Sequence, residues 1–152
     1  MRLLLKKAEP TWWKQSFLDI RGIRMKYNDL IPEFMVADIE RSREFYMNLL
    51  GFKLEYERPE DKFLFLSLGE AQLMLEEAPA REKTSLTYPL GLGANFSLGV
   101  NDVVEVYARC QAVNYPIQRD LEIRKFRVND GYVVDKEFAL LDPDGYYWRV
   151  TG

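Results

Sequence analysis

The chain has 152 residues, 47% of them hydrophobic and 30% charged, with a formal net charge of −3 and not one histidine. That composition suits a single compact unit or two fused modules. It lacks the basic excess of a nucleic-acid footprint, and no apolar run reaches the length of a membrane span, so neither nucleic acid nor membrane is an expected partner.

Residues 1–29 read as an N-terminal arm. Trp12, Trp13, Phe17, Ile20 and Ile23 are too apolar for a solvated tail, and Trp13, Phe17 and Ile20 fit one helical face, so the arm is expected to pack on the rest of the chain or on a partner subunit. Met25 offers a second candidate start. The opening Met1-Arg2-Leu3-Leu4-Leu5-Lys6-Lys7 has too few apolar residues for a secretory leader, and a cytoplasmic location is the expectation.

The rest of the chain is a repeat. Met35-Val36-Ala37-Asp38-Ile39 returns as Gly99-Val100-Asn101-Asp102-Val103, each after a short apolar run and each with an Asp suited to cap a helix. After Asp38, Ser42, Phe45, Tyr46, Leu49 and Leu50 fall on one helical face, with Gly51 where a C-terminal cap belongs. After Asp102, Val103, Val106, Tyr107 and Cys110 do the same, and Pro116 closes the segment. Three extended runs follow each helix: Lys53–Arg58, Phe63–Leu68 and residues 72–76 in the first copy, residues 122–128, 134–141 and 146–151 in the second. Gly69-Glu70, Asn129-Asp130-Gly131 and Asp142-Pro143-Asp144-Gly145 supply the turns. The expected fold is therefore α+β, with a first βαβββ module over residues 30–78, a linker over 79–92 and a second βαβββ module over 93–152. Cys110, the single cysteine, lies on an apolar helix face and reads as a small buried hydrophobe.

Several phrases together resemble a known family. They are Val36-Ala37-Asp38-Ile39-Glu40-Arg41-Ser42 followed by Phe45-Tyr46, then Leu50-Gly51-Phe52, and late in the chain Phe138-Ala139-Leu140-Leu141-Asp142-Pro143-Asp144-Gly145. In order and at these separations they resemble the vicinal oxygen chelate superfamily of glyoxalases, ring-cleaving dioxygenases and antibiotic-resistance proteins. The resemblance implies curved mixed sheets around a cleft, in many members completed by a second subunit. A homodimer is the implied assembly, with strand exchange at Pro32 as one option and an ordinary edge strand as the other.

Family enzymes hold a divalent metal at four sheet positions, and the resemblance maps these onto Ile31, Asn95, Arg149 and Leu75, or Glu76 if the strand register shifts by one. Two aliphatic chains, an amide and a guanidinium do not make a catalytic metal site. Neither metal nor other cofactor is expected, and without histidine there is no ordinary base near neutral pH. The chain most resembles the bleomycin-resistance group, through Lys136-Glu137-Phe138-Ala139 leading into the Asp142 turn, Leu73-Met74-Leu75-Glu76 and Pro32. That resemblance implies sequestration of a planar or cationic small molecule, a role in antibiotic resistance, and no catalysis. The alternative is a metal-dependent lyase, isomerase or dioxygenase of the same superfamily.

Strand alternation assigns the ligand-facing side to Glu33, Met35, Leu75, Asn95, Ser97, Tyr147 and Arg149, with Phe34, Val36, Leu98, Trp148 and Val150 opposite. Glu33 pairs either with a ligand cation or with Arg149. Tyr147 either stacks on a planar ligand or serves a dimer interface.

Overall fold

The computed structural model describes residues 19–20, 23–24 and 26–152. Two compact units divide the chain at Ile31/Pro32. In the first, β1 (Asp19–Ile20) pairs antiparallel with β2 (Ile23–Arg24). The helical face expected across Trp13, Phe17 and Ile20 is corrected at Ile20, which is extended; three apolar residues in eight positions are too short a pattern to decide helix against strand. Trp12, Trp13 and Phe17 lie outside the described residues.

The second unit, Pro32–Gly152, holds both halves of the repeat. β3 (Glu33–Val36) leads to Asp38, whose carboxylate accepts the amides of Glu40 and Arg41 and starts α1 (Ile39–Arg43). The helix widens into a π-helical stretch, Glu44–Leu50, and stops at Gly51, whose φ of +91° is left-handed and suits glycine. β4 (Lys53–Arg58), β5 (Phe63–Leu68) and β6 (Ala71–Glu77) complete a sheet ordered β3-β6-β5-β4, with β3 parallel to β6. A single helical turn, α2 (Ala80–Lys83), precedes the second copy. There β7 (Asn95–Gly99), α3 (Val103–Ala112), β8 (Ile117–Val128), β9 (Gly131–Leu141) and β10 (Tyr147–Thr151) give the order β7-β10-β9-β8, with β7 parallel to β10. Asp102 caps α3 through the Glu105 amide. The fold is α+β, two mixed four-stranded sheets in which strand and helix order repeat.

The two sheets share one core. Phe34, Val36, Leu64, Leu66, Leu73 and Leu75 from one meet Leu98, Phe138, Leu140, Trp148 and Val150 from the other, with Phe45, Tyr46, Leu49, Leu50, Val106 and Cys110 of the helices. Phe34 makes the join directly: its ring lies 4.8 Å from Phe96 and stacks at 4.1 Å on Tyr146. Arg109 Nε donates to the Leu49 carbonyl at 3.0 Å and ties the two helices. Each sheet therefore turns its helix-covered face inward; on the opposite face of the first sheet Met35 is exposed while Phe63 and Phe65 are buried. Burial also pushes the Cys110 thiol up to about 11, so this cysteine packs and does not react.

Register corrects one expected site residue. Phe34 lies opposite Leu75 and Met35 opposite Glu76, so Leu75 points into the core, fully buried, while Met74 and Glu76 face outward. The run Leu73-Met74-Leu75 is apolar throughout and cannot announce its own phase; pairing with β3 decides it. Leu75→Ala is expected to cost about 3 kcal/mol and Met74→Ala less than about 1 kcal/mol in urea denaturation. Equal losses would reverse the assignment.

Glu77, at the end of β6, supports the start of α1. Its buried carboxylate accepts the Ile39 amide at 3.0 Å and the Lys62 ammonium at 2.7 Å, and it also binds Lys83. Burial alone would raise its pKa, but Lys62, Lys83 and the Ile39 amide outweigh that and hold it at about 2. A folded pKa below the unfolded value means the carboxylate stabilises the fold above about pH 4.5 and progressively less as pH falls toward 2. Both lysines are partly solvated, which screens the pairs, so about 1–2 kcal/mol is expected to be lost across that window. In Glu77→Gln that part of the acid limb should be missing; an unchanged limb would place the loss elsewhere.

Candidate functional site

The outer face of the second sheet brings together four of the residues singled out from sequence. Tyr147 lies opposite Asn95, and Arg149 opposite Ser97, across the parallel pair of β10 and β7. Asn95 and Ser97 are exposed, and Tyr147 and Arg149 are partly so. On the other side of β10, Arg149 lies opposite Ala139, which lies in turn opposite Arg119 on β8. Arg149 Nε donates to the Asn95 amide oxygen at 3.1 Å, and its Nη1 stands 3.8 Å from Glu137 Oε2. Arg119 donates to the other oxygen of Glu137, and its Nε is 3.1 Å from Glu122. Glu137 is thus buried, at 2% exposure, between two guanidinium groups. Desolvating a carboxylate is tolerable only with such partners.

Glu137, Arg119 and Ala139 escaped the sequence reading. The apolar run Phe138-Ala139-Leu140-Leu141 hides the alternation of β9, and β8 carries register shifts on both sides of Arg119. Such irregularities re-aim side chains in ways no periodicity announces.

Glu33 and Met35 lie on the outer face of the first sheet, with Met74, Glu76, Phe63 and Phe65 of the neighbouring strands. Burial and a hydrogen bond shared with Glu76 raise the Glu33 carboxyl above its ordinary value, with Arg58 opposing. Arg58 lies 3.8 Å over the Phe63 ring, and Tyr56 stacks on Phe65 at 5.2 Å. Within one chain Glu33 therefore faces Glu76 and Arg58, and Arg149 faces Asn95 and Glu137. Of the two options for Glu33, pairing with Arg149 is not among the contacts of either residue.

The seven residues expected to line one site are consequently split. Asn95, Ser97, Tyr147 and Arg149 share one outer face, Glu33 and Met35 share another, and Leu75 is core. None of the seven lines the concavities of about 460 Å³ beside Glu77 and Lys62 or about 550 Å³ beside Phe45 and Tyr115.

A family model of the glyoxalase/bleomycin resistance protein/dioxygenase superfamily matches residues 31–150. The chain belongs to that superfamily. A superfamily member from Vibrio splendidus 12B01 is 32% identical, over 78% of this chain and 92% of its own, with a TM-score of 0.37. TioX from Micromonospora sp. ML1 is 17% identical, over 82% and 98%, with a TM-score of 0.61. A glyoxalase/bleomycin resistance protein/dioxygenase from Alicyclobacillus acidocaldarius is 18% identical, over 82% and 89%, with a TM-score of 0.59. No curated protein matches the chain.

The metal positions that the resemblance implies can now be tested by register. Arg149 pairs with Ser97, and the repeat equates Ser97 with Glu33, whose partner is Met74. The position thus falls on Met74, not on Leu75 or Glu76. With Asn95 and Arg149 it offers a thioether, an amide and a fixed cation, which does not suit a hard or borderline divalent ion. Among the described residues no three His, Cys, Asp or Glu side chains gather as a metal-binding group. The residues present do not fit the metal of the family's enzymes.

Proposed function

We propose that this protein is a metal-free binding member of the superfamily, which sequesters a planar, cationic small molecule of the bleomycin type and catalyses no reaction. One observation carries the reading: Arg149, at a position where family enzymes place a metal ligand, is held by Asn95 and Glu137, so a fixed positive charge stands where a divalent ion would sit. The paired carboxyls of Glu33 and Glu76 supply the attraction for a ligand cation.

A homodimer completes the site in this reading. One chain turns its two outer faces apart around a shared core, so a cleft lined by both requires the first sheet of one copy and the second sheet of another. Met35, 39% exposed on that face, is available to such an interface. Cytoplasmic residence accords with the single buried thiol and with the absence, among the described residues, of a helix long and apolar enough to cross a membrane.

Titration with bleomycin and other planar cations, followed by tryptophan fluorescence, should give a saturable change. No change well above ~1 mM would remove the sequestration reading. Stoichiometric Fe, Zn, Mn or Ni in the purified protein would replace it with the metal-dependent enzyme. Sedimentation should find a dimer; a monomer that still binds would remove the shared cleft.

A further inference from the structure

We infer that the outer face of the second sheet holds an anion subsite, built on Arg149 and Arg119, that takes the carboxylate of a planar aromatic acid. This rests on the metal-free reading above and adds a second charge to the ligand it describes.

The geometry is local. Arg149, Ala139 and Arg119 form one row across β10, β9 and β8. The middle member is only a methyl group and fully buried, so no bulky side chain stands between the two arginine positions in that row. Both are anchored from one side by the same buried carboxylate, that of Glu137. Glu137 on both arginines and Glu122 on Arg119 do not saturate two five-donor forks. Arg149 in particular makes its hydrogen bond through Nε to a neutral amide, while its Nη1 stands 3.8 Å from Glu137, beyond hydrogen-bond length. Its terminal N–H groups keep their capacity for a charge-assisted pair, and the side chain is 34% exposed.

The other nearby carboxylates engage Arg119 and Arg124, and Glu137 is the one ion-pair partner of Arg149 among the described residues. Glu122 is engaged by Arg119 and Arg124, and Asp135 lies opposite Arg124, farther along the β8–β9 hairpin. Exposed Ser97 flanks Arg149 on the open side, and exposed Gly99 beyond it adds no side chain.

The aromatic requirement comes from Tyr147. Two residues before Arg149 on β10, it projects from the same face at about 7 Å along the strand. A planar body stacked there would deliver an attached carboxylate to the arginine pair. Preorganised guanidinium groups recognise such an acid at little entropic cost, because Asn95 and Glu137 already hold them.

The probe pair is 2-naphthoate and its neutral amide, titrated into the full-length protein by calorimetry. The acid should bind at least about tenfold more tightly than the amide, and Arg149→Met should remove that preference. In the unmodified protein, the Arg149 and Arg119 Nε–Hε resonances should shift with naphthoate and stay still with naphthamide, a readout independent of any variant's folding. Equal binding of acid and amide, no binding of either, or unmoved arginine resonances would each overturn the subsite. Planar-cation binding that persists alongside any of those results would leave the sequestering function standing; stoichiometric metal would remove the function itself.

Discussion

Asp142→Ala is expected to cost the fold about 3–5 kcal/mol, as much as a large core truncation. The carboxylate is 2% exposed and makes three hydrogen bonds. Oδ1 accepts the amides of Asp144 and Tyr146, both at 2.9 Å, and so closes the turn before β10. Oδ2 accepts the Tyr46 hydroxyl at 2.6 Å, and that oxygen in turn accepts Trp148 Nε1 at 3.2 Å. Burial raises the Asp142 pKa and the hydrogen bonds from Tyr46, Tyr146 and Asp144 pull against it. Burial, then the Asp142 charge, raises the Tyr46 hydroxyl well above its ordinary value, so the tyrosine stays a donor. Alanine strands a buried hydroxyl and two amides at once. Asp142→Asn keeps the oxygen that closes the turn but presents an amide donor where Oδ2 accepted the Tyr46 hydroxyl, so it should cost less than alanine while still losing that hydrogen bond. Equilibrium urea denaturation distinguishes the two; a loss under about 1 kcal/mol for alanine would mean the network is incidental.

Trp148→Ala should be comparably damaging, at about 3–5 kcal/mol. The indole is 5% exposed and stands where the modules meet. Its ring centroid is 5.2 Å from Phe96, 5.9 Å from both Phe34 and Tyr46, and 6.5 Å from Phe52. Truncation opens a cavity between two sheets and also leaves the Tyr46 oxygen without its donor. Trp148→Phe restores most of the volume and none of the N–H, so the gap between the two variants measures the hydrogen bond. Because Trp148 and Asp142 act through Tyr46, the double variant should lose less than the two single losses added. Strict additivity would show the two ends to be independent.

The repeat was legible because its signals are local. Asp38 and Asp102 announce helix starts by their own side chains, Gly51 a helix end by its free φ, and Gly69-Glu70 a hairpin; β4 and β5 begin and end where the alternation and turns placed them. β8 runs five residues further toward its N-terminus than expected, because its early part is irregular where it passes Arg119. Among the site residues, Asn95, Ser97, Tyr147 and Arg149 could be placed on one face from the periodicity of short strands bounded by turns. Leu75 could not, since an apolar strand reads the same in either phase.

The amino-acid order by itself determined that this is a duplicated βαβββ protein without histidine, with Asn95 and Arg149 at two of the positions where the resemblance puts the family's metal ligands. Those properties reside in side-chain identity and short-range spacing. Only the tertiary structure decided that Leu75 is core and Met74 faces out, that Glu33 and Arg149 belong to different faces, and that Glu137 is buried between Arg119 and Arg149. Each of those depends on strand register and on which sheet faces meet, and these are set by packing between residues far apart in the chain.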